Sequence, residues 1–478
     1  MRVKNLLFTF ILFLLLIYPL TDSYSSGLTP SGVGTKALSL GGAFRGLADD
    51  WSACYWNPAG LAYQAKSEVN FSFVVLSPRP RYTPDVTYEG WDVGYKNGTR
   101  WYPQDKNFSL PSFSGFLKFP ELNGFITGLA FFIPYRNSYS WDIFDPLPGY
   151  KNNVPYPEYD HEADITVLDF HPSIAKQFME GKFSIGAGVS IQKGDLTLRK
   201  VDLVSSDPYI SPYNSRPYDH FPVDNKFEGD GWGVGANMGL LFKASPKFQI
   251  GISVRSPVSL NLSGTRELTA YLPNDSAIAD YLEITVGDSS AAQYFRGYTL
   301  NSSLDSDVKF KLPADLGIGV AFMPDPTLTL TCDVNYTAWS SLKELVFEEN
   351  GKDAFGNEIT EYEIPLNWKD VTRFSLGLEY MPHPSLALRA GYYLDPSPIP
   401  DETLSPIFFD SNEKSGYSLG VGYKAESFEL GYSYGISDYK QKFLKGLEDT
   451  NSDSIYDNLP GRYENSVHTS YFTFTYKF

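Results

Sequence analysis

The sequence predicts an all-β chain, a transmembrane antiparallel β-barrel of about fourteen strands, reached by export. Three observations predict it. Apolar and polar residues alternate with period two along much of the chain. The connections between these stretches alternate between short and long. The last stretch, Tyr471 to Phe478, alternates and ends on an aromatic residue, while the first twenty-five residues read as an export signal.

At the amino end, Arg2 and Lys4 precede an apolar run from Leu6 to Tyr18 broken only by Thr9. Ser23-Tyr24-Ser25 then offers a small-x-small cleavage site, so residues 1–25 are expected to be a signal peptide with Ser26 as the mature start. The run is too short for a comfortable membrane span, and no later stretch is long and apolar enough for a transmembrane helix. No cysteine near the cleavage point suggests a lipid anchor.

The strands come next. From Phe183 to Ile191 every odd position is apolar and every even one is Ser or Gly. Phe248 to Val254, Leu328 to Tyr336 and Phe374 to Tyr380 alternate in the same way. Successive strand side chains point to opposite faces, so each segment has one apolar and one polar face. A soluble sandwich would share that feature, and the connections decide between them. Short ones fall near Pro120–Asn123, Glu180-Gly181, Ala244–Lys247, Pro324–Pro326, Pro382–Pro384 and Ala425-Glu426. Long ones, rich in Pro, Asn, Asp, Ser and Tyr, run roughly over 78–110, 137–164, 196–229, 263–307, 341–367, 396–415 and 439–467. Short turns at one end and long loops at the other are the connection pattern of outer-membrane barrels. The expected location is therefore the outer membrane of a Gram-negative bacterium.

Composition agrees. A 478-residue soluble chain would normally divide into domains, yet no linker or composition shift divides residues 67–478, which are expected to form one barrel. The net charge of −17 excludes a nucleic-acid partner that needs a basic stripe, and the acidic residues gather in the expected loops. Cys54 and Cys332 fall in different structural parts, which argues against a disulfide.

Residues 26–66 do not alternate. Small residues dominate, and a short helix is expected around Ser52 to Trp56. About fourteen strands enclose more space than wall side chains fill, so this segment is expected to lie inside as a hatch. Its residues Gly41-Gly42-Ala43, Ala48-Asp49-Asp50 and Asn57-Pro58-Ala59-Gly60 resemble the N-terminal hatch of the long-chain fatty acid and hydrophobic-compound outer-membrane transporter family (FadL/TodX/OmpP-like). A second block, Trp368 to Tyr380 and then Leu388 to Pro400, resembles that family's late strands. Leu312-Pro313-Ala314 and Tyr336 to Ser340 fit the same pattern, and the long loops do not visibly match.

The resemblance implies a channel for passive uptake of long-chain fatty acids or other hydrophobic compounds, with no cofactor and no catalysis. The ligand would pass from the outside to a lumenal pocket, then leave by hatch movement and a sideways exit through the wall. An apolar chain gains roughly 0.8 kcal/mol per CH₂ kept out of water, which makes that route favourable. The exit needs a disrupted strand, and Gly128 and Pro134 in the stretch Gly124 to Pro134 are the candidates, the alternative being that they merely end a strand. Partners would be a hydrophobic small molecule, membrane lipid and lipopolysaccharide, for a monomeric protein. The competing class is a partner-binding barrel subunit of a protein-secretion apparatus, with loops such as 263–307 binding protein.

Parity places charges inside. With Leu388 and Tyr392 facing lipid, Arg389, Tyr393 and Asp395 face the lumen, as do Arg373, Lys369 and Glu379 on the neighbouring strand, with Arg255 and Asp333 elsewhere. Arg373, Arg389 and Lys369 are candidates for holding a carboxylate head group, against the alternative of lumenal ion pairs. Asp395 falls where the family has an acidic residue near the hatch and is a candidate latch.

Other chemistry finds little support. The histidines at 161, 171, 220, 383 and 468 lack metal-ligand spacing, and no nucleophile elbow or phosphate loop appears. Asp449, Asn451, Asp453 and Asp457 space their oxygens as a short Ca²⁺ loop does, although Ser454 stands where such loops carry Gly, and a solvated acidic loop is the simpler reading.

Overall fold

The computed structural model describes residues 32–104, 107–119, 124–150, 155–410 and 413–478. The expected signal peptide, residues 26–31 of the expected hatch and the short connection at 120–123 lie outside them.

Eighteen strands of the described residues form one sheet. Four of these stand above the rest, and the remaining fourteen close a cylinder. In chain order the wall strands are β1 (Glu68–Pro78), β2 (Phe108–Phe119), β3 (Phe125–Trp141), β4 (His161–Phe178), β5 (Phe183–Ser205), β6 (His220–Ser245), β7 (Phe248–Arg255), β8 (Asp315–Asp325), β9 (Leu328–Thr337), β10 (Val371–His383), β11 (Leu386–Asp395), β12 (Lys414–Lys424), β13 (Phe428–Tyr439) and β14 (Ser466–Lys477). Closure is made by β14 lying antiparallel to β1, with Lys477 opposite Glu68 and Val467 opposite Pro78. No edge strand is left at the seam.

The alternation read in the sequence becomes the two faces of this wall. Ser72, Ser114 and Asn70 are buried on the inside, while Phe71, Phe73, Phe113 and Phe472 stand exposed on the outside. An outward apolar band suits lipid, and the polar face surrounds the lumen. The described short turns, such as those between β6 and β7 or β12 and β13, lie at the end where β1 begins and β14 finishes.

The long connections differ from expectation. The stretch 263–307 overlaps two paired strands, Val258–Tyr271 and Thr299–Leu312, and 341–367 contains Glu344–Lys352 paired with Glu358–Pro365. The stretch 196–229 is mostly the continuation of β5 and β6. At about 3.3 Å per residue the 26 residues of β6 span roughly 85 Å, far beyond the 9–11 residues a membrane strand needs. The first strand of the upper sheet pairs with that tall part of β6, from Ala270 opposite Val223 to Asn261 opposite Trp232. Ser, Asp and Lys fill the outward positions of this upper sheet, which gave it the composition of loops. Leu304, Val308, Phe310 and Leu312 are its buried face.

Candidate functional site

The inner segment is a series of tight turns. A five-residue helix, α1 (Thr35–Ser39), ends at Gly41 and Gly42, which take φ of +67° and +84° in the left-handed region that favours glycine. A second short helix, α2 (Ala53–Trp56), matches the expected one. Asn57 then caps a 3₁₀ turn over Pro58–Tyr63, its Oδ1 accepting from Ala59 N at 3.2 Å. The Asn57 Nδ2 donates to Arg45 O at 2.9 Å and to Leu240 O on β6 at 3.0 Å, tying this turn to both the segment and the wall. At Gly60 a Cβ would fall 1.9 Å from Ala48 O, so only glycine fits.

The wall is shaved to receive this segment. A Cβ on Gly186, Gly251, Gly317 or Gly391 would lie between 1.9 and 2.2 Å from atoms of Pro58, Arg45 and Gly41. These inward glycines belong to β5, β7, β8 and β11, so they ring the segment. Ion pairs complete the fit. Arg45 is buried, donates to Asp315 at 2.8 Å and Ser253 at 3.0 Å, and lies 3.8 Å from Asp333. Asp333 also accepts from the backbone N–H of Phe44 and Arg45 at 3.0 and 2.8 Å. At the other end Lys36 bridges Asp49 at 2.9 Å and wall Glu379 at 3.2 Å. Asp50 turns inward on its own chain, accepting from Ser52 N and Oγ. Arg45 was missed by the sequence reading. Its signal was a lone cation within a run of small residues, facing a lumen in which Asp333, Glu379 and Asp395 were expected.

The predicted lumenal charges divide. Arg373, Arg389, Asp395, Glu379, Arg255 and Asp333 face inward as parity requires. Arg389 is bound to Glu379 at 2.6 Å. Arg373 lies 3.5 Å from Asp395 and donates to Gly41 O at 3.0 Å, so Arg373 links Asp395 to the inner segment. Lys369 is a correction. It precedes β10, which begins at Val371, and stands exposed beside Glu402 at 3.8 Å. Lys369 lies before the strand begins, where period-two parity does not hold.

Above the inner segment a cavity enclosing about 680 Å³ of non-atom space, open in part, is lined by Leu76, Phe108, Tyr139, Trp368 and Phe409 together with Arg136 and Lys414. Both cations have partners: Arg136 binds Asp164, and Lys414 lies 3.4 Å from Asp395. This cavity borders a discontinuity in the wall. β2 and β3 pair from Phe119 opposite Phe125 up to Phe113 opposite Phe131, and among the described residues no pair joins them beyond. β2 continues to Phe108 along β1, and β3 continues to Trp141 along β4. On β3 the register slips between Phe132 and Tyr135, where Ile133 and Pro134 stand against the single residue Leu168 of β4 as a bulge. Gly128 lies below it, opposite Phe116 and fully paired, so it does not interrupt the ladder as expected. A Cβ there would fall 2.3 Å from the Phe116 ring, which covers it. At the discontinuity a small cavity is lined by Gly32, Val33 and Leu38 of the inner segment and by Leu110, Phe132 and Ile133 of the wall.

The acidic loop around Asp449 to Asp457 is bonded within itself. Asp449 accepts from Ser452, Asp453 and Ser454 N–H groups, and Asp457 accepts from Thr450 N and Oγ1 at 2.7 Å. The loop thus satisfies its own carboxylates, with Asn451 donating to Asp453 at 3.1 Å. Among the described residues no cluster of three or more His, Cys, Asp or Glu is placed to hold a metal ion. Cys54 and Cys332 are unpaired thiols.

This closed, occupied cylinder can be set beside known proteins. The profile described as "Outer membrane protein transport protein (OMPP1/FadL/TodX)" matches residues 28–478. The chain belongs to the OMPP1/FadL/TodX family. Outer membrane protein P1 of Haemophilus influenzae is 21% identical over 467 residues, 90% of each chain. The long-chain fatty acid transport protein of Escherichia coli O6:H1 is 26% identical over 223 residues, 46% of this chain and 45% of its own. Among solved structures, a Pseudomonas aeruginosa FadL homologue superposes with a TM-score of 0.75 at 19% identity, covering 95% of this chain and all of the other. The Pseudomonas putida toluene transporter TodX gives 0.66 at 17% identity, covering 94% and 99%. These likenesses carry the fold. As a member of the OMPP1/FadL/TodX family, the chain is an outer-membrane β-barrel channel of a family that transports hydrophobic compounds. The alternative of a secretion subunit is not favoured.

Proposed function

We propose that this channel takes up long-chain fatty acids or similar elongated hydrophobic molecules, that residues 26–66 act as its hatch, and that the ligand leaves sideways between β2 and β3. One observation carries the reading: a largely apolar lumenal cavity bearing Arg136 and Lys414 abuts the place where the β2–β3 ladder stops. Leu76 lines both that cavity and the small one at the discontinuity, so the two adjoin. Apolar walls supply most of the affinity, at about 25 cal/mol per Å² removed from water. Lys414 offers a carboxylate a charge-assisted bond, shared with Asp395, so the head group orients the ligand more than it anchors it. Hatch movement would begin at Gly32 to Leu38, which close the inner side of the discontinuity. The protein would act as a monomer among lipid and lipopolysaccharide, with no cofactor.

The test is uptake of labelled oleate and of a neutral hydrocarbon of equal length into cells lacking other transporters of this family. Wild type takes up both; Lys414→Met lowers oleate uptake about three- to tenfold and spares the hydrocarbon. Equal loss of both, or of neither, removes the head-group assignment. No uptake of either by wild type removes the substrate class.

A further inference from the structure

The upper barrel holds two neighbouring cavities that share one lining side chain. The stretch 396–410, between β11 and β12, folds back into the barrel instead of projecting outward. Ile399, Leu404, Ile407, Phe408 and Phe409 are all buried there. Phe408 is the residue of this stretch that lines both the lumenal cavity bearing Arg136 and Lys414 and a second cavity above it. That upper cavity encloses about 610 Å³ of non-atom space, open in part, under the residues around Leu203, Ile364 and Tyr456. Leu203 in turn lines an outer cleft with Trp91, Phe144 and Tyr150.

We propose that Phe408 is an aromatic gate between the outer and inner cavities and sets the cross-section of the molecules that pass. The inference rests on the uptake reading above and adds to it a residue that selects by width. Three observations support it.

The backbone on either side of Phe408 is fixed. Pro406 O accepts from Trp141 Nε1 at 3.0 Å, and Ile407 O accepts from Asn137 Nδ2 at 3.1 Å. Phe408 N–H donates to Ser405 O at 3.2 Å, and its own carbonyl accepts from Asp410 N–H at 2.9 Å. With the main chain held on both sides, the freedom left at this position is rotation of the ring about χ1 and χ2, which moves between staggered wells.

The ring is also suited to the task. It carries no polar atom to be left without a partner when displaced, and it rests edge-on against Trp368 with centroids 5.8 Å apart. That contact costs little to break and re-form, so the passage of a slim alkyl chain needs only a rotamer change. A branched or polycyclic molecule needs the ring and its backbone to move together, against four hydrogen bonds.

The tether, finally, joins the gate to the wall. Asn137 and Trp141 lie on the part of β3 above the bulge, where β3 has lost β2 as a neighbour. A loop pushed outward by a wide ligand therefore pulls on the strand that borders the discontinuity.

The test compares uptake rates of oleate and of a bulky fatty acid analogue, such as a pyrene-labelled one, in cells carrying wild type, Phe408→Ala or Phe408→Trp. Heat-modifiable migration on gels, a mark of a folded barrel, is checked for each, with Phe408→Leu as the conservative variant. Phe408→Ala is expected to raise the bulky-to-slim rate ratio at least fivefold, and Phe408→Trp to lower it by a similar factor. Phe408→Leu should lie between wild type and Phe408→Ala. An unchanged ratio in variants that fold and transport oleate overturns the gate while leaving the uptake function standing. If Phe408→Ala and Phe408→Trp both fail to fold, an unchanged ratio in Phe408→Leu and in Asn137→Ala overturns it as well. Failure of wild type to transport either molecule overturns the uptake reading itself.

Discussion

At the residue scale, buried charge holds the inner segment. Arg45 is the clearest case, because it sits buried among Asp315, Asp333 and Ser253. Removing one partner of such a pair typically costs about 3–5 kcal/mol, since the other charge stays buried. Arg45→Ala is expected to expose residues 32–64 to protease while the barrel remains folded and heat-modifiable; unchanged protease resistance would contradict this. Asp50 gives a pH prediction. Its partly buried carboxyl is pushed up to about 6, chiefly by burial and also by Asp49, against the pull of Ser52. The folded state thus binds the proton more tightly than an open chain, whose carboxyl titrates near 3.8. The stabilisation is complete below pH 3.8 and lost as pH rises through 6. Asp50→Asn keeps the acceptor for Ser52 without the charge, so amide protection over 52–56 should exceed wild type at pH 7.5 and match it near pH 4. Equal protection at both pH values would contradict the assignment. Inward charges were legible where the strand was long enough for parity to hold, as at Arg373 and Arg389. Lys369 was not, because β10 had not yet begun.

At the scale of elements, glycine and the bulge do the positioning. Gly251→Ala would place a methyl 2.0 Å from Arg45 O. Backbone against backbone cannot yield cheaply, so the inner segment must shift. Single-channel recordings should then show open aqueous conductance that wild type lacks, and a closed channel in this variant would contradict the fit. The β3 bulge lies just past the last β2–β3 pair, Phe113 opposite Phe131. Deleting Ile133 would restore register with β4 and is expected to lower oleate uptake at least tenfold with the barrel intact. The stretch singled out in the sequence, Gly124 to Pro134, holds the bulge, and Pro134 cannot donate to a ladder. The sequence alone could not separate Pro134 from Gly128, since a strand glycine marks either a break or a close approach. Here the Phe116 ring decided for close approach. The upper sheet was illegible for another reason. Its outward Ser, Asp and Lys are what loops also carry, and only the pairing of Val258–Tyr271 with Thr299–Leu312 and with β6 separates the two.

At the scale of the whole molecule, alternation and connection length were enough to read a cylinder of fourteen strands, since each local choice repeats around it. What they could not reveal was long-range: which atoms of the inner segment meet which wall glycines, and that 396–410 turns inward. Those depend on contacts between residues hundreds of positions apart, as between Arg45 and Asp333. We propose that a hydrophobic molecule leaves through the wall between β2 and β3. The most direct test joins the strands just past their last pair, with Ser112→Cys and Phe132→Cys bridged by a short thiol cross-linker in a chain whose Cys54 and Cys332 are replaced by Ser. Labelled oleate uptake should fall at least tenfold on cross-linking and return when a cleavable linker is cut. Uptake that continues undiminished through a fully cross-linked wall would contradict the claim.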